Sequence, residues 1–246
     1  MINSSTPVHV VIPAFDEARL IGRTVERAGR YLADHRPGST LCVVDDGSRD
    51  DTAGVARAAG AGLPEGVRFQ LLGGPPNRGK GHAVRLGVLA AEAPLVLFCD
   101  ADLSTDLEEL PKLAAAIEAG ADLAIGSRSI SGARVEKRQP LYRMAMGKTF
   151  NKIMRLMTFL PVVDSQCGFK LFRREASARL FAASLIDGFA FDVEVLFLAR
   201  KAGLSIAEVP VRWVNDEVSS VNPVVHSAQM LRDLARIRWL HQRTRV

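Results

Sequence analysis

Two aspartates separated by one residue, Asp100 and Asp102, stand at the tip of a short apolar run, Leu95 to Cys99. Carboxylates roughly 5 Å apart repel by about 1 kcal/mol in water and several-fold more in a partly dry cleft, so a cation belongs between them. An all-oxygen pair suits a hard divalent ion, Mg2+ or Mn2+, and leaves coordination sites for phosphate oxygens. In extended backbone, residues i and i+2 share a face, which predicts that both carboxylates point the same way. The competing reading is a pair of solvated aspartates that opens a helix. Further polar clusters close other apolar runs: Asp16/Glu17, Asp45/Asp46 and Asn77 to Lys80. Each alone is also explained by turn chemistry, an Asx turn at Asp45 and Asp46 or a glycine turn at Gly79 and Gly81.

The elements that must position these clusters read as a β-α alternation. Val8 to Ile12, Leu41 to Val44, Val67 to Leu72, Leu95 to Cys99 and Leu123 to Ile125 are apolar runs of strand length. Between them helices are predicted: one opened by Asp16 as N-cap and carrying Leu20, Ile21, Val25, Ala28, Tyr31 and Leu32, then Asp51 to Ala59, His82 to Ala91 and Leu107 to Ala119. The pattern predicts an α/β fold with a mainly parallel, doubly wound sheet flanked by helices, and ligands at the carboxyl ends of its strands. All four polar clusters follow strand ends, so the topology brings them to one site. After Gly126 the rhythm stops. Ser129 to Pro140 reads as a mobile basic loop and Leu141 to Leu160 as a helix bearing Lys148, Lys152 and Arg155. There follow D-S-Q-C-G-F-K at Asp164 to Lys170, a short helix around Arg174 to Phe181, a helix entered through Gly188 to Val195, a strand at Ser205 to Val209 and a basic terminal helix from about Val225. There is no internal repeat and no long linker.

With 246 residues, 48% of them hydrophobic, the chain is long enough for one large α/β domain with a full core. Cys42, Cys99 and Cys167 are odd in number and lack metal-ligand spacing, which predicts small buried hydrophobes in a reducing cytoplasm. No signal sequence is expected from Met1 to Pro7, and the longest apolar stretch, Leu86 to Cys99, is broken by Glu92 and Pro94. The net charge of +5 hides an asymmetry: residues 1 to 125 carry 12 Lys/Arg against 17 Asp/Glu, and residues 126 to 246 carry 20 against 10. The basic half is expected to face an anionic partner. Few aromatics accompany the arginines, which argues against nucleic acid and for an anionic lipid surface.

Two phosphate chemistries compete with the metal-diphosphate reading. Gly74 to Lys80 matches the start of a P-loop, but Gly81 stands where the Ser/Thr hydroxyl is required, and Pro75 and Pro76 remove N-H groups from the cradle. The run ending D-A-D-L-S also resembles the first motif of haloacid-dehalogenase-type phosphatases, with Asp100 as nucleophile. That motif normally opens its domain, whereas here three β-α units precede it.

The ordered set P-A-F-D-E, V-D-D-G-S, N-R-G-K-G, D-A-D-L-S, G-S-R, D-S-Q-C-G-F-K and F-D-V-E resembles family 2 glycosyltransferases of the glycosyltransferase-A fold, most of all polyprenyl- or dolichyl-phosphate sugar synthases. The resemblance spans Val8 to Asn222. It implies that Pro13, Ala14, Phe15 and Glu17 line a nucleotide pocket, that Asp45 holds the base or ribose, and that Lys80 lies near the base. It implies further that Asp100, Ala101 and Asp102 meet the nucleotide sugar, that Asp100 and Asp102 bind the metal with Ser104 as a further ligand, and that Asp192 and Glu194 border the sugar. Arg128 and Arg143 would face the acceptor phosphate, with Asp192 and Arg128 as the catalytic residues. Asp16 departs from the asparagine common in the family, and Ser219-Ser220 lacks the basic residue that relatives often carry there; Arg212, Arg134, Lys137 or Arg138 would substitute.

What the resemblance implies is an inverting, metal-dependent transfer of a hexose from a nucleotide sugar, UDP-linked by preference, to polyprenyl phosphate. Alternatives are a GDP-mannose donor, a polysaccharide hydroxyl acceptor, a phosphatase, or a silent nucleotide- or lipid-binding scaffold. The chain is then one domain, 1–246, with a nucleotide-sugar half (8–126), an acceptor half (127–222) and a basic C-terminal helix (223–246). Its expected place is cytoplasmic, peripheral on the inner face of a membrane, docked through Arg143, Lys148, Lys152 and Arg155 or through Arg232, Arg236, Arg238 and Trp239 of the terminal helix. The other reading of those helices buries their apolar faces on the sheet or in a homo-oligomer interface.

Overall fold

The apolar runs form the sheet that their composition demands. In the computed structural model, residues 2–3, 5–136, 154, 158–214, 223–242 and 244 are described, with the backbone alone at 223–231. The strands are β1 (Val8–Ala14), β2 (Thr40–Asp45), β3 (Arg68–Gly73), β4 (Leu95–Cys99), β5 (Leu123–Ser127), β6 (Arg134–Glu136), β7 (Phe169–Arg173), β8 (Ile206–Pro210) and β9 (Arg212–Val214). The helices are α1 (Ile21–His35), α2 (Thr52–Ala61), α3 (Lys80–Leu89), α4 (Leu110–Glu118, after a 3-10 turn at Leu107–Glu109), α5 (Arg174–Ala183), α6 (Phe191–Lys201) and α7 (Pro223–Leu240). Seven strands make one sheet in the order β3-β2-β1-β4-β7-β5-β8. β1 to β4 run parallel, as do β5 and β8, and β7 lies antiparallel between β4 and β5.

Every residue of β1, β2, β4 and β5 is buried, which is why these strands read as continuous apolar runs. Alternate side chains feed two cores. Val10, Ile12, Leu95 and Leu97 meet Ile21, Val25, Leu32, Leu113 and Ile117 of α1 and α4 on one face. Val11, Val96 and Phe98 meet Val84, Val88, Leu180, Val195, Leu198, Leu234 and Ile237 of α3, α5, α6 and α7 on the other. The strand order reverses beside β1 and β4, so a crevice is expected at their carboxyl ends, where Phe15 and Asp100 stand.

Three expectations change, and for the terminal helix one of two readings is decided. The run F-K-L-F-R, taken as motif rather than strand, is β7, and it threads residues of the second half into the centre of the sheet. Asp16 is not a helix cap: it sits at φ 56°, α1 begins after Leu20, and the Asp16 carboxylate accepts from the Arg49 backbone N (2.7 Å) and Nε (3.0 Å). The described part of the basic loop holds β6, paired in parallel with β9 and joined to it by Arg212 on Glu136 at 2.8 Å. Leu234 and Ile237 of the terminal helix are fully buried, so its apolar face packs on the core, while Trp239 is 70% exposed. All three cysteines are free and buried, as expected. Arg143, Lys148, Lys152 and Arg155, most of the helix expected over 141–160, Lys137, Arg138 and Ser219-Ser220 lie outside the described residues.

Candidate active site

The strand β4 ends at Cys99, and Asp100 to Asp102 form a turn closed by Leu103 at φ 48°. The two carboxylates therefore share a turn rather than one face of an extended strand. Ser104 orients Asp102, its N-H donating to Oδ1 (2.8 Å) and its hydroxyl to Oδ2 (2.9 Å). Both Ser104 groups are thus turned onto Asp102, and the hydroxyl oxygen, a donor here, keeps lone pairs for a cation. Ala101 is anchored to α1 by the Thr24 hydroxyl, which donates to its carbonyl at 2.6 Å. Lys80, at the start of α3, brings its ammonium to 2.6 Å from Asp100 Oδ1. Gly168, which precedes β7, lends its carbonyl to the Asp100 N-H (3.1 Å). A Cβ at Gly168 would overlap the Asp100 carboxylate, so D-S-Q-C-G-F-K needs glycine there.

Behind this tip lies a second ion pair. Asp192, in the first turn of α6, meets Lys170 of β7 at 2.5 Å, and both are almost fully buried. Lys170 also donates to the Cys167 carbonyl at 2.7 Å. The Lys80 and Lys170 ammonium groups lie 5.4 and 5.6 Å from the centre of the Phe98 ring, which favours cations there. Burial lowers the Lys80 ammonium, but the charges of Asp100, Asp192 and Asp102 outweigh it and hold the group above the ordinary lysine range. Burial raises the Asp192 carboxyl, and the Lys170 charge opposes that rise.

Arg128, just past β5, grips the buried Asp164 with Nε and Nη2, each at 2.8 Å, and with its backbone N at 2.9 Å. Asp164 and Val163 are in turn fixed by their N-H groups on the Glu208 carboxylate, both at 2.9 Å. The guanidinium stacks over Trp213 of β9 at 5.5 Å. Burial lowers it, but the Asp164 bonds and charge override that and leave it permanently charged; the field of Asp100 reaches it as well. Its Nη1 edge makes none of these bonds.

At the end of β1, Pro13 and Ala14 are buried, and the exposed Phe15 ring lies 5.3 Å under the Arg49 guanidinium. The Glu17 N-H donates to Thr52 Oγ1 at 2.8 Å, tying the β1 loop to α2. The Asp45 carboxylate accepts from the backbone N-H and hydroxyl of Ser48, three residues on, and so shapes the turn after β2. Asp46, absent from the predicted site set, fastens the loop that carries Lys80: it accepts from Asn77 Nδ2 (2.9 Å), Arg78 N (3.0 Å) and Gly79 N (2.7 Å). Glu194, expected to border the sugar, spends its oxygens on the protein itself. It is fully buried, with its oxygens on Leu185 N, Ile186 N and His241 Nε2, because α6 turns residue 194 away from the crevice that residue 192 enters. Lys170, Asp164 and Trp213 are not singled out by the sequence; the first two and Asp46 lie in motifs visible there, and burial of their charges is a tertiary fact.

The donor set suits a divalent cation bound through oxygen. Desolvation and then the Asp100 charge push the Asp102 carboxyl above the ordinary aspartate range, against the two Ser104 bonds and the Lys80 charge; a cation between the carboxylates would offset the repulsion. Among the described residues no group of three or more His, Cys, Asp or Glu side chains forms a metal cluster. A divalent ion held by these two carboxylates would take most of its coordination shell from ligand oxygens, the arrangement typical of Mg2+ with phosphates.

Comparison with known proteins gives the family and the fold. Residues 9–181 match Glycosyl transferase family 2. The dolichyl-phosphate beta-glucosyltransferase of Dictyostelium discoideum is 34% identical over 242 residues, covering 94% of this chain and 73% of that protein. The crystal structure of mannosyl-3-phosphoglycerate synthase from Rubrobacter xylanophilus superposes with a TM-score of 0.70 at 21% identity, over 98% of this chain and 76% of the other. Glucosyl-3-phosphoglycerate synthase from Mycobacterium tuberculosis, in complex with Mn2+, UDP-glucose and phosphoglyceric acid, gives 0.66 at 20% identity, over 94% and 79%. Paired aspartates close β4 beside the switch point of a glycosyltransferase-A sheet, and these matches place the chain: it belongs to glycosyl transferase family 2.

Proposed function

We propose that this glycosyltransferase moves a hexose, glucose from UDP-glucose by preference, to the phosphate of a polyprenyl phosphate with inversion at the anomeric carbon. One observation carries the reading: Asp100, Asp102 and Lys80 meet at the end of β4, and the permanently charged Arg128 lies within the field of Asp100. The named activity of the Dictyostelium relative and the UDP-glucose and Mn2+ of the Mycobacterium complex support it. Asp100 and Asp102 would hold Mg2+ or Mn2+, which when bound stabilises charge gathering on the leaving diphosphate. The Lys80 ammonium adds a second positive group to that end of the donor. Phe15 and Arg49 form a stacking surface for the base. The Nη1 edge of Arg128 orients the acceptor phosphate.

A phosphate monoester has a second pKa near ~6, so the acceptor is already ionised at neutral pH and needs placement more than deprotonation. The commitment of Asp192 to Lys170 fits such an acceptor, since a hydroxyl acceptor would need a carboxylate free to take a proton. The test is nucleoside diphosphate release from UDP-glucose and GDP-mannose, with and without a short-chain polyprenyl phosphate. Release from UDP-glucose that requires both the lipid phosphate and a divalent ion is expected. Release that responds only to a sugar acceptor, or to neither, overturns the proposal.

A further inference from the structure

Glu194 and His241 are both fully buried, and their side chains meet at 2.7 Å between Oε1 and Nε2. The same carboxylate accepts from the backbone N-H groups of Leu185 and Ile186, each at 2.9 Å. It therefore joins two distant pieces of chain: the residue just past α7 and the turn between α5 and α6. A Lys201 ammonium on the His241 carbonyl holds the histidine from the other side.

That turn is the wall against which the Lys80 loop is built. The Asp187 carbonyl accepts from the His82 N-H at 3.2 Å. A Cβ on Gly79 would lie 2.5 Å from the Asp187 carbonyl oxygen, and one on Gly81 would lie 2.5 Å from that of Ile186. Side chains lock the same contact, with Arg85 donating to the Asp187 carboxylate (2.5 Å) and the Ser184 carbonyl (3.2 Å). Backbone packed this closely has no slack. A displacement of 185–188 must displace 79–81, and with it the ammonium that faces Asp100.

We propose that Glu194 and His241 are a positioning pair: by fixing the 185–188 turn they set Lys80 against Asp100, so that docking of the C-terminal helix is read out at the donor-diphosphate centre. The inference rests on Asp100, Asp102 and Lys80 being that centre. Neither residue touches the donor; both act through the turn.

The experiment measures UDP binding in the presence of Mn2+ by calorimetry. His241→Leu removes the donor to Glu194 at similar volume, and His241→Gln retains one. His241→Leu is expected to weaken binding about tenfold, the size of effect found for groups that orient ligand-contacting residues. His241→Gln is expected to restore most of it. Lys80→Ala should lower affinity as well, and in the Lys80→Ala/His241→Leu double variant the losses should not add, because both act on one group. If the His241 variants fold poorly in thermal melts, Glu194→Gln reports on the same pair, since it exchanges one acceptor for an amide against Leu185 and Ile186. Fully additive losses, or unchanged binding in His241→Leu, overturn the positioning role. Unchanged binding in Lys80→Ala and Asp100→Asn would instead overturn the assignment of the centre itself.

Discussion

Gly168 shows how a single residue type can be set by a neighbour's charge, because the Asp100 carboxylate occupies the space a side chain would need. Gly168→Ala should leave the thermal transition close to that of the parent while turnover falls tenfold or more, since about 1 Å of displacement at a reacting centre costs on the order of 100-fold. Asp100→Asn or Asp102→Asn keeps shape and removes a charge, and metal affinity and turnover should then fall together by about two orders of magnitude. Undiminished activity in a chelator would refute that dependence. Asp192 and Arg128 part company in kinetics. Asp192→Asn leaves Lys170 buried without its counter-charge, so a stability loss of about 3 to 5 kcal/mol is expected, with a smaller kinetic effect than Asp100→Asn. Arg128→Lys keeps the charge but loses the fork on Asp164, and should raise the KM for polyprenyl phosphate with little change in that for the nucleotide sugar. If Asp192→Asn abolishes turnover in folded protein while Arg128→Lys is silent, a hydroxyl acceptor is favoured.

The strands differ in how openly they announce themselves. β1, β2, β4 and β5 are apolar throughout because both faces are covered, so composition alone marks them. β7 hides behind Lys170, whose charge reads as surface until Asp192 is seen beside it. His9 in β1 is a comparable case: it is 2% exposed, and burial first, then the Arg68 charge, lower its pKa from 6.5 to about 4. The unfolded chain takes up this proton below its ordinary pKa while the folded chain does not. The stabilising contribution is therefore complete above about pH 6.5 and is lost as the pH falls toward 4, by about 3 kcal/mol in all. Urea unfolding at pH 7.0 and 4.5 should show a smaller pH effect in His9→Gln than in the parent. Equal pH effects in the two would remove His9 from the account.

For the whole molecule the question is which surface would meet the lipid-borne acceptor proposed above. Among the described residues no helix is long and apolar enough to cross a membrane. The proposed contact is the outer side of α7, where Trp239 and Phe159 are 70% and 59% exposed, with Arg200 and Arg238 at 6.0 and 5.6 Å from the Phe159 ring. Aromatic rings flanked by guanidinium groups suit the headgroup level, and each cation near an anionic surface contributes about 1 kcal/mol within a Debye length. Sedimentation with anionic vesicles should be reduced by salt and by Trp239→Ala/Arg238→Glu, whereas neutral vesicles should bind weakly. Binding indifferent to lipid charge, salt and the double change would exclude this face.

The sequence by itself determined the covered sheet, the strand-end placement of the polar clusters and the family, because these depend on local apolar runs and on short motifs whose residues act together. It did not determine that Asp16 binds Arg49 rather than capping α1, since an acidic residue before a helix has the same local signature in both roles. Nor did it distinguish Asp192 from Glu194. They are two residues apart on α6, and only packing decides that one turns to Lys170 at the crevice and the other to His241 beneath it. The antiparallel insertion of β7 was likewise a tertiary decision: pairing Cys99 with Phe169 joins positions far apart in the chain, and no local pattern encodes that partner.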